Sequence, residues 1–175
     1  AVSGDGTSTL YTDLGSTRTL AALPGSPVYF FVSESSITLS WNLNTNPSST
    51  KFRAQLSTSS TFDGLSDSFT SYNAYTSTGF IGLLANSTYY TRVQARNEAT
   101  PVTETAYVSL GSTVTKINPP ITVGISNVQT NQLAFTWNAN GNGAGTVYQA
   151  QISSFSNFNP VILTSSTELL SSTYT

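Results

Sequence analysis

The opening stretch of this chain returns 96 positions later without insertion or deletion, so the 175 residues must fold as copies of one unit. At that single offset Trp41 falls on Trp137, Pro24 on Pro120 and Phe62 on Phe158. The string Tyr11-Thr12-Asp13-Leu14-Gly15-Ser16-Thr17 falls on Tyr107-Val108-Ser109-Leu110-Gly111-Ser112-Thr113, and Phe52-Arg53-Ala54-Gln55-Leu56 falls on Tyr148-Gln149-Ala150-Gln151-Ile152. Solenoid units span roughly 20–50 residues, whereas a period of roughly 100 suits a domain with its own core. The chain is shorter than two full periods, and the second copy lacks the counterpart of residues 80–96.

Within each copy the hydrophobic period is two. Ile37, Leu39 and Trp41 share one face while Ser36, Thr38 and Ser40 share the other, and the pattern returns at Leu133, Phe135 and Trp137. Phe52, Ala54 and Leu56 make a second such strand, Tyr89, Thr91, Val93 and Ala95 a third. No apolar pattern of helical spacing persists. The expectation is an all-β chain of tandem antiparallel β-sandwiches, with Trp41, Trp137, Leu83, Tyr89 and Val93 in the cores.

The segment Leu83-Leu84-Ala85-Asn86-Ser87-Thr88-Tyr89-Tyr90-Thr91-Arg92-Val93-Gln94-Ala95-Arg96-Asn97, together with Pro24, Pro27 and the strand-ending Trp41, resembles a fibronectin type III domain. The resemblance is to that family's tyrosine-corner strand, L-x-P-x-T-x-Y-x-V-x-V-x-A-x-N. It implies an immunoglobulin-like sandwich for residues 23–117 and a truncated second one for 118–175. Residues 1–22 would be the last strand and linker of a preceding module, because 14–19 repeats 110–115. Two departures stand out: Ala85 replaces the usual proline, and Thr91 an aliphatic residue.

Composition narrows the function classes. Charged residues are 8% of the chain against roughly 25% in ordinary domains, while Ser and Thr supply about a third of it. A hydrophobic fraction of 38% nevertheless permits a packed core. The six basic residues, Arg18, Lys51, Arg53, Arg92, Arg96 and Lys116, are scattered, so nucleic acid is not an expected partner. No apolar run approaches the ~18 residues of a membrane span, and no leader-like segment stands at Ala1. Membrane insertion is therefore not expected. The hydroxyl-rich, Lys-poor character is of the kind found in bacterial surface proteins and suggests an extracellular or cell-surface location.

With no His and no Cys, Ser-His-Asp and Cys-His catalysis have no residues to use. Of the acids Asp5, Asp13, Glu34, Asp63, Asp67, Glu98, Glu104 and Glu168, the pair Asp63/Asp67 is closest in sequence, but two carboxylates and one glycine fall short of a calcium loop. No catalytic, cofactor or metal residue is expected, and the chain is not expected to be an enzyme. Asn86-Ser87-Thr88 is a glycosylation sequon at a turn. Tyr75 and Tyr90 fall out of phase with the buried faces and are the aromatic residues expected to be exposed.

The linker Leu110-Gly111-Ser112-Thr113-Val114-Thr115-Lys116-Ile117-Asn118-Pro119-Pro120 runs from strand residues straight into two prolines. Proline fixes φ and extends its predecessor, so Pro119 and Pro120 imply a semi-rigid rod. The expected role is a non-catalytic spacer in a large adhesin, filament or multidomain surface protein, with neighbouring modules as partners. The alternatives are a module binding a polysaccharide or a surface protein through loops such as 45–50 and 138–145, which differ between copies, or a short subunit joined head to tail by strand complementation.

Overall fold

The computed structural model describes residues 1–64, 67–98, 100–161, 163–167 and 171–174. Glu168, one of the eight acids, lies outside the described residues. The described residues hold twelve strands and no helix, and all pairing between the strands is antiparallel.

In the first copy, strands β1 (Gly25–Val32), β2 (Ser36–Asn42), β3 (Lys51–Ser57), β4 (Ser68–Phe69), β5 (Ser77–Ile81), β6 (Thr88–Arg96) and β7 (Val108–Val114) form two sheets, ordered β1-β2-β5 and β4-β3-β6-β7. Alternation decides what each sheet buries: Ile37, Leu39 and Trp41 from β2 meet Phe52, Ala54 and Leu56 from β3 and Tyr89, Val93 and Ala95 from β6. Trp41 and Phe52 join the sheets with rings 5.8 Å apart and tilted by 53°. Leu83 packs partly buried against this cluster.

The second copy repeats the plan with β8 (Ile121–Ser126), β9 (Leu133–Asn138), β10 (Tyr148–Ile152), β11 (Leu163–Thr167) and β12 (Ser171–Tyr174), in sheets ordered β12-β9-β8 and β10-β11. Trp137 and Tyr148 stand 5.8 Å apart at 51°, almost superposing the geometry of Trp41 and Phe52. β3 is paired along its length with β6, whereas β10 has only β11 beside it among the described residues. Burial follows: Ala54 and Leu56 are buried, and their counterparts Ala150 and Ile152 are half-buried.

The sequence reading expects a strand at 14–19, the counterpart of most of β7. No strand forms there, and Leu10, Tyr11 and Leu14 are fully exposed. The cause is pairing: β7 is a strand against β6, and no such neighbour lies beside 14–19 among the described residues.

Two hydroxyl contacts hold the sandwich together. The Tyr89 hydroxyl accepts a hydrogen bond from the Leu84 backbone N–H at 3.0 Å, tying the corner before β6 to the strand itself. Thr91, fully buried, donates to the Tyr29 hydroxyl at 3.0 Å, which donates in turn to the Gly111 carbonyl at 3.0 Å. This chain links β1 of one sheet to β6 and β7 of the other. It ends at a bulge: the β6–β7 register skips Leu110, and Gly111 takes a φ of 78° that glycine adopts without strain.

Replacing Tyr89 with Phe leaves the Leu84 N–H without its acceptor, and should lower stability by roughly 1–2 kcal/mol in urea melts while leaving the β-sheet spectrum intact. Burial raises the Tyr29 hydroxyl above its ordinary value of 10.0, against a smaller opposing effect from the Thr91 bond. Its contribution to stability is therefore complete below pH 10.0 and lost as pH rises through the folded value. The urea midpoint should fall in that alkaline range, and the fall should shrink in Tyr29→Phe.

Candidate functional site

Each strand-ending tryptophan is followed by three asparagines on alternate positions: Trp41-Asn42-Leu43-Asn44-Thr45-Asn46 and Trp137-Asn138-Ala139-Asn140-Gly141-Asn142. The two loops share one geometry at their asparagines. The Asn42 side chain accepts from the Asn44 N–H at 3.0 Å, and the Asn138 side chain from the Asn140 N–H at 2.7 Å. Asn44 and Asn140 share a φ of 55°, the left-handed conformation that asparagine tolerates best among residues with a side chain.

The third asparagine grips the incoming linker. Asn142 accepts from the Asn118 N–H at 2.8 Å and donates to the Asn118 carbonyl at 2.9 Å. Asn46 does the same to Ala22, at 2.8 Å for both bonds. The second asparagine reaches one residue further, Asn140 donating to the Pro119 carbonyl at 2.9 Å and Asn44 to the Leu23 carbonyl at 3.2 Å. A primary amide carries a donor and an acceptor side by side, so it can satisfy both backbone groups of a residue that has no strand partner. The three-asparagine frame therefore fixes the path of the chain into each sandwich. The loops that differ in sequence at 45–50 and 138–145 share this frame and differ in the residues around it.

The same loop of the second copy docks on the corner before β6 of the first. Gly143 N–H donates to the Ala85 carbonyl at 2.7 Å, the Ala85 N–H donates to the Gly141 carbonyl at 3.3 Å, and Asn142 lies against Ala85 as a parallel bridge. The Asn86 side chain donates to the Thr146 hydroxyl at 2.8 Å, and that hydroxyl donates to the Gly143 carbonyl at 2.7 Å. Between the two lies the linker, itself knitted to the corner. The Thr115 hydroxyl accepts from the Ser87 N–H at 3.0 Å and donates to the Leu84 carbonyl at 2.6 Å, while the Lys116 carbonyl accepts from the Asn86 N–H at 3.1 Å.

The residues singled out from sequence fall into place around this junction. Trp41, Trp137, Tyr89 and Val93 are buried in the two cores, and Pro119 and Pro120 are exposed in the linker. The amide nitrogen of Asn86, the atom an N-glycan would take, is engaged with Thr146 in the contact between copies. Tyr75 is exposed and Tyr90 half-buried. Asp67 turns its carboxylate to the Gln55 amide, and is half-buried, not fully solvated. Among the described residues no group of three or more His, Cys, Asp or Glu side chains could hold a metal ion.

A second polar assembly covers the outer face of β3 and β6. The Arg92 guanidinium lies between the Phe62 ring, 4.0 Å to its centroid, and the Tyr107 ring, at 4.1 Å, and its Nε donates to Gln55 at 2.6 Å. Arg53 and Arg96 both stack on Tyr72, at 4.4 and 4.2 Å. Burial, reinforced by the Glu104 carboxylate, pushes the Tyr72 hydroxyl up to about 12. Three of the chain's six cations thus serve as planks that hold the flanking loops to the sheet.

No model of a protein family and no curated protein matches the chain. Among solved structures, the two-domain fibronectin type III segment of chicken tenascin matches with a TM-score of 0.62 at 10% identity, covering 87% of this chain and 82% of that one. A computationally redesigned β-sandwich protein matches with a TM-score of 0.45 at 18% identity, over 54% of this chain and 90% of that one. The match to tenascin spans two consecutive domains and, at its low identity, speaks to architecture alone. The chain has a fibronectin type III-like all-β fold.

Proposed function

We propose that this chain is a non-catalytic spacer, a stretch of successive β-sandwiches held at a set angle in a large adhesin, filament or multidomain protein. An extracellular or cell-surface setting, in a protein of the bacterial surface type, fits its hydroxyl-rich, charge-poor composition. The observation that carries the reading is the linker from Thr115 to Pro119. Thr115, Lys116, Asn118 and Pro119 each bond to the corner of one sandwich or the loop of the next. A ligand-binding module needs exposed, adaptable loops. Here the loop and the corner at the junction are occupied with each other.

The first test is small-angle scattering of the chain in solution. A spacer gives an elongated particle with two maxima in its pair-distance distribution, and a single compact globule would sink the reading. The second concerns the clamp itself. Asn142→Ala removes both bonds to Asn118, so the Asn118 amide hydrogen should exchange at least ~10-fold faster, as expected for loss of a hydrogen bond worth about 1.4 kcal/mol. Amides in β2 and β6 should keep their protection.

A further inference from the structure

The two asparagine loops keep their three asparagines and differ between and after them, at Leu43/Ala139, Thr45/Gly141 and Pro47/Gly143. We infer that the last of these positions can make or break the lock of a sandwich onto the one before it: glycine permits the lock and proline forbids it.

The geometry at Gly143 makes the case twice over. Its N–H points at the Ala85 carbonyl oxygen, 2.7 Å away. Proline replaces that hydrogen with a ring carbon about 1.5 Å from the nitrogen, which would stand far inside contact distance of the oxygen and would remove the donor as well. On its other side, a Cβ at Gly143 would meet the Ser87 hydroxyl at 2.6 Å, the Asn86 carbonyl at 3.0 Å and the Ala85 carbonyl at 3.4 Å. The Ser87 hydroxyl is itself bonded to the Ala85 carbonyl at 3.1 Å, and the other two groups are backbone. Neither side of the position has room for proline while the corner 84–87 is docked.

Proline is nevertheless compatible with the loop itself. Pro47 occupies the matching place with the whole asparagine frame intact: Asn46 grips Ala22 as Asn142 grips Asn118. The frame thus forms with proline at a position where the lock seen at Gly143 leaves proline no room. Both loops steer their own linkers, and a loop with proline after its third asparagine has no way to take a neighbour's corner as Gly143 does. A chain that alternates the two residues would alternate fixed joints with hinges.

The absence of cysteine allows a clean measurement. Ser60→Cys and Ser154→Cys place one spin label on each sandwich at exposed positions, and pulsed electron resonance reads the distance distribution between them. The parent should give one narrow peak. Gly143→Pro should lose it and spread over distances the parent never visits, while the sheet spectrum and the Trp137 environment stay unchanged. Gly143→Ala, which keeps the N–H and adds only the crowding Cβ, should broaden the peak less. Pro47→Gly should leave this pair of labels as they were. A narrow peak retained in a folded Gly143→Pro overturns the inference. Should that variant lose its second sandwich, Gly143→Ala decides, and an unbroadened peak there overturns it equally. The spacer reading has its own test in the particle's elongation, which survives either result.

Discussion

A pair of hydrogen bonds from the Asn142 amide to the backbone of Asn118 sets the point at which one sandwich stops and the next begins. A residue between two sheets has an N–H and a carbonyl with no ladder to enter, and leaving them to water would leave the chain direction free. Asparagine closes both groups with one short side chain. Aspartate has no donor for the carbonyl, and glutamine must order an additional rotatable bond. From that fixed residue, Asn140 can reach Pro119, Thr115 can hold the corner at Leu84 and Ser87, and Gly143 can approach Ala85. The junction is an extension of hydrogen-bonded backbone.

The interior follows the same economy of charge. With few ions to place, the chain satisfies buried positions with neutral donors and acceptors: Thr91 with Tyr29, Tyr29 with Gly111, Leu84 with Tyr89. Where cations are used, as with Arg53, Arg92 and Arg96, they lie over aromatic rings and contribute area as much as charge. Such contacts depend on shape and hydrogen-bond geometry and are less sensitive to ionic strength than exposed ion pairs.

Strands were legible because period two survives in any single strand: Ile37, Leu39 and Trp41 need no partner to reveal their shared face. The repeat offset then carried the assignment from one copy to the other. Pairing is another matter. Residues 14–19 have the sequence of β7 and no strand structure, because a strand is a property of two segments and the pattern describes one. The asparagine frame was present in the sequence at the same offset as the tryptophans, yet asparagine in a loop reads as a generic turn former. What marked it was spacing: three asparagines on alternate positions after each Trp, kept through residues that otherwise differ. Prolines 119 and 120 pointed to a stiff linker for a reason that proved incomplete, since the bonds from Asn140 and Asn142 hold the same segment.

The two departures from the tyrosine-corner pattern acquire physical reasons once the junction is seen. Thr91, where an aliphatic side chain is usual, supplies the hydroxyl that starts the cross-sandwich chain to Gly111. An aliphatic residue would fill the space and leave Tyr29 without its donor. Ala85, where proline is usual, keeps an N–H that donates to Gly141, and its carbonyl receives the N–H of Gly143. Proline at 85 would cancel the first bond as proline at 143 would cancel the second. The corner and the loop thus avoid the same residue for the same reason: a parallel bridge between two sandwiches needs a backbone hydrogen on each side. One departure thus ties the two sheets of a single sandwich, and the other joins that sandwich to the next.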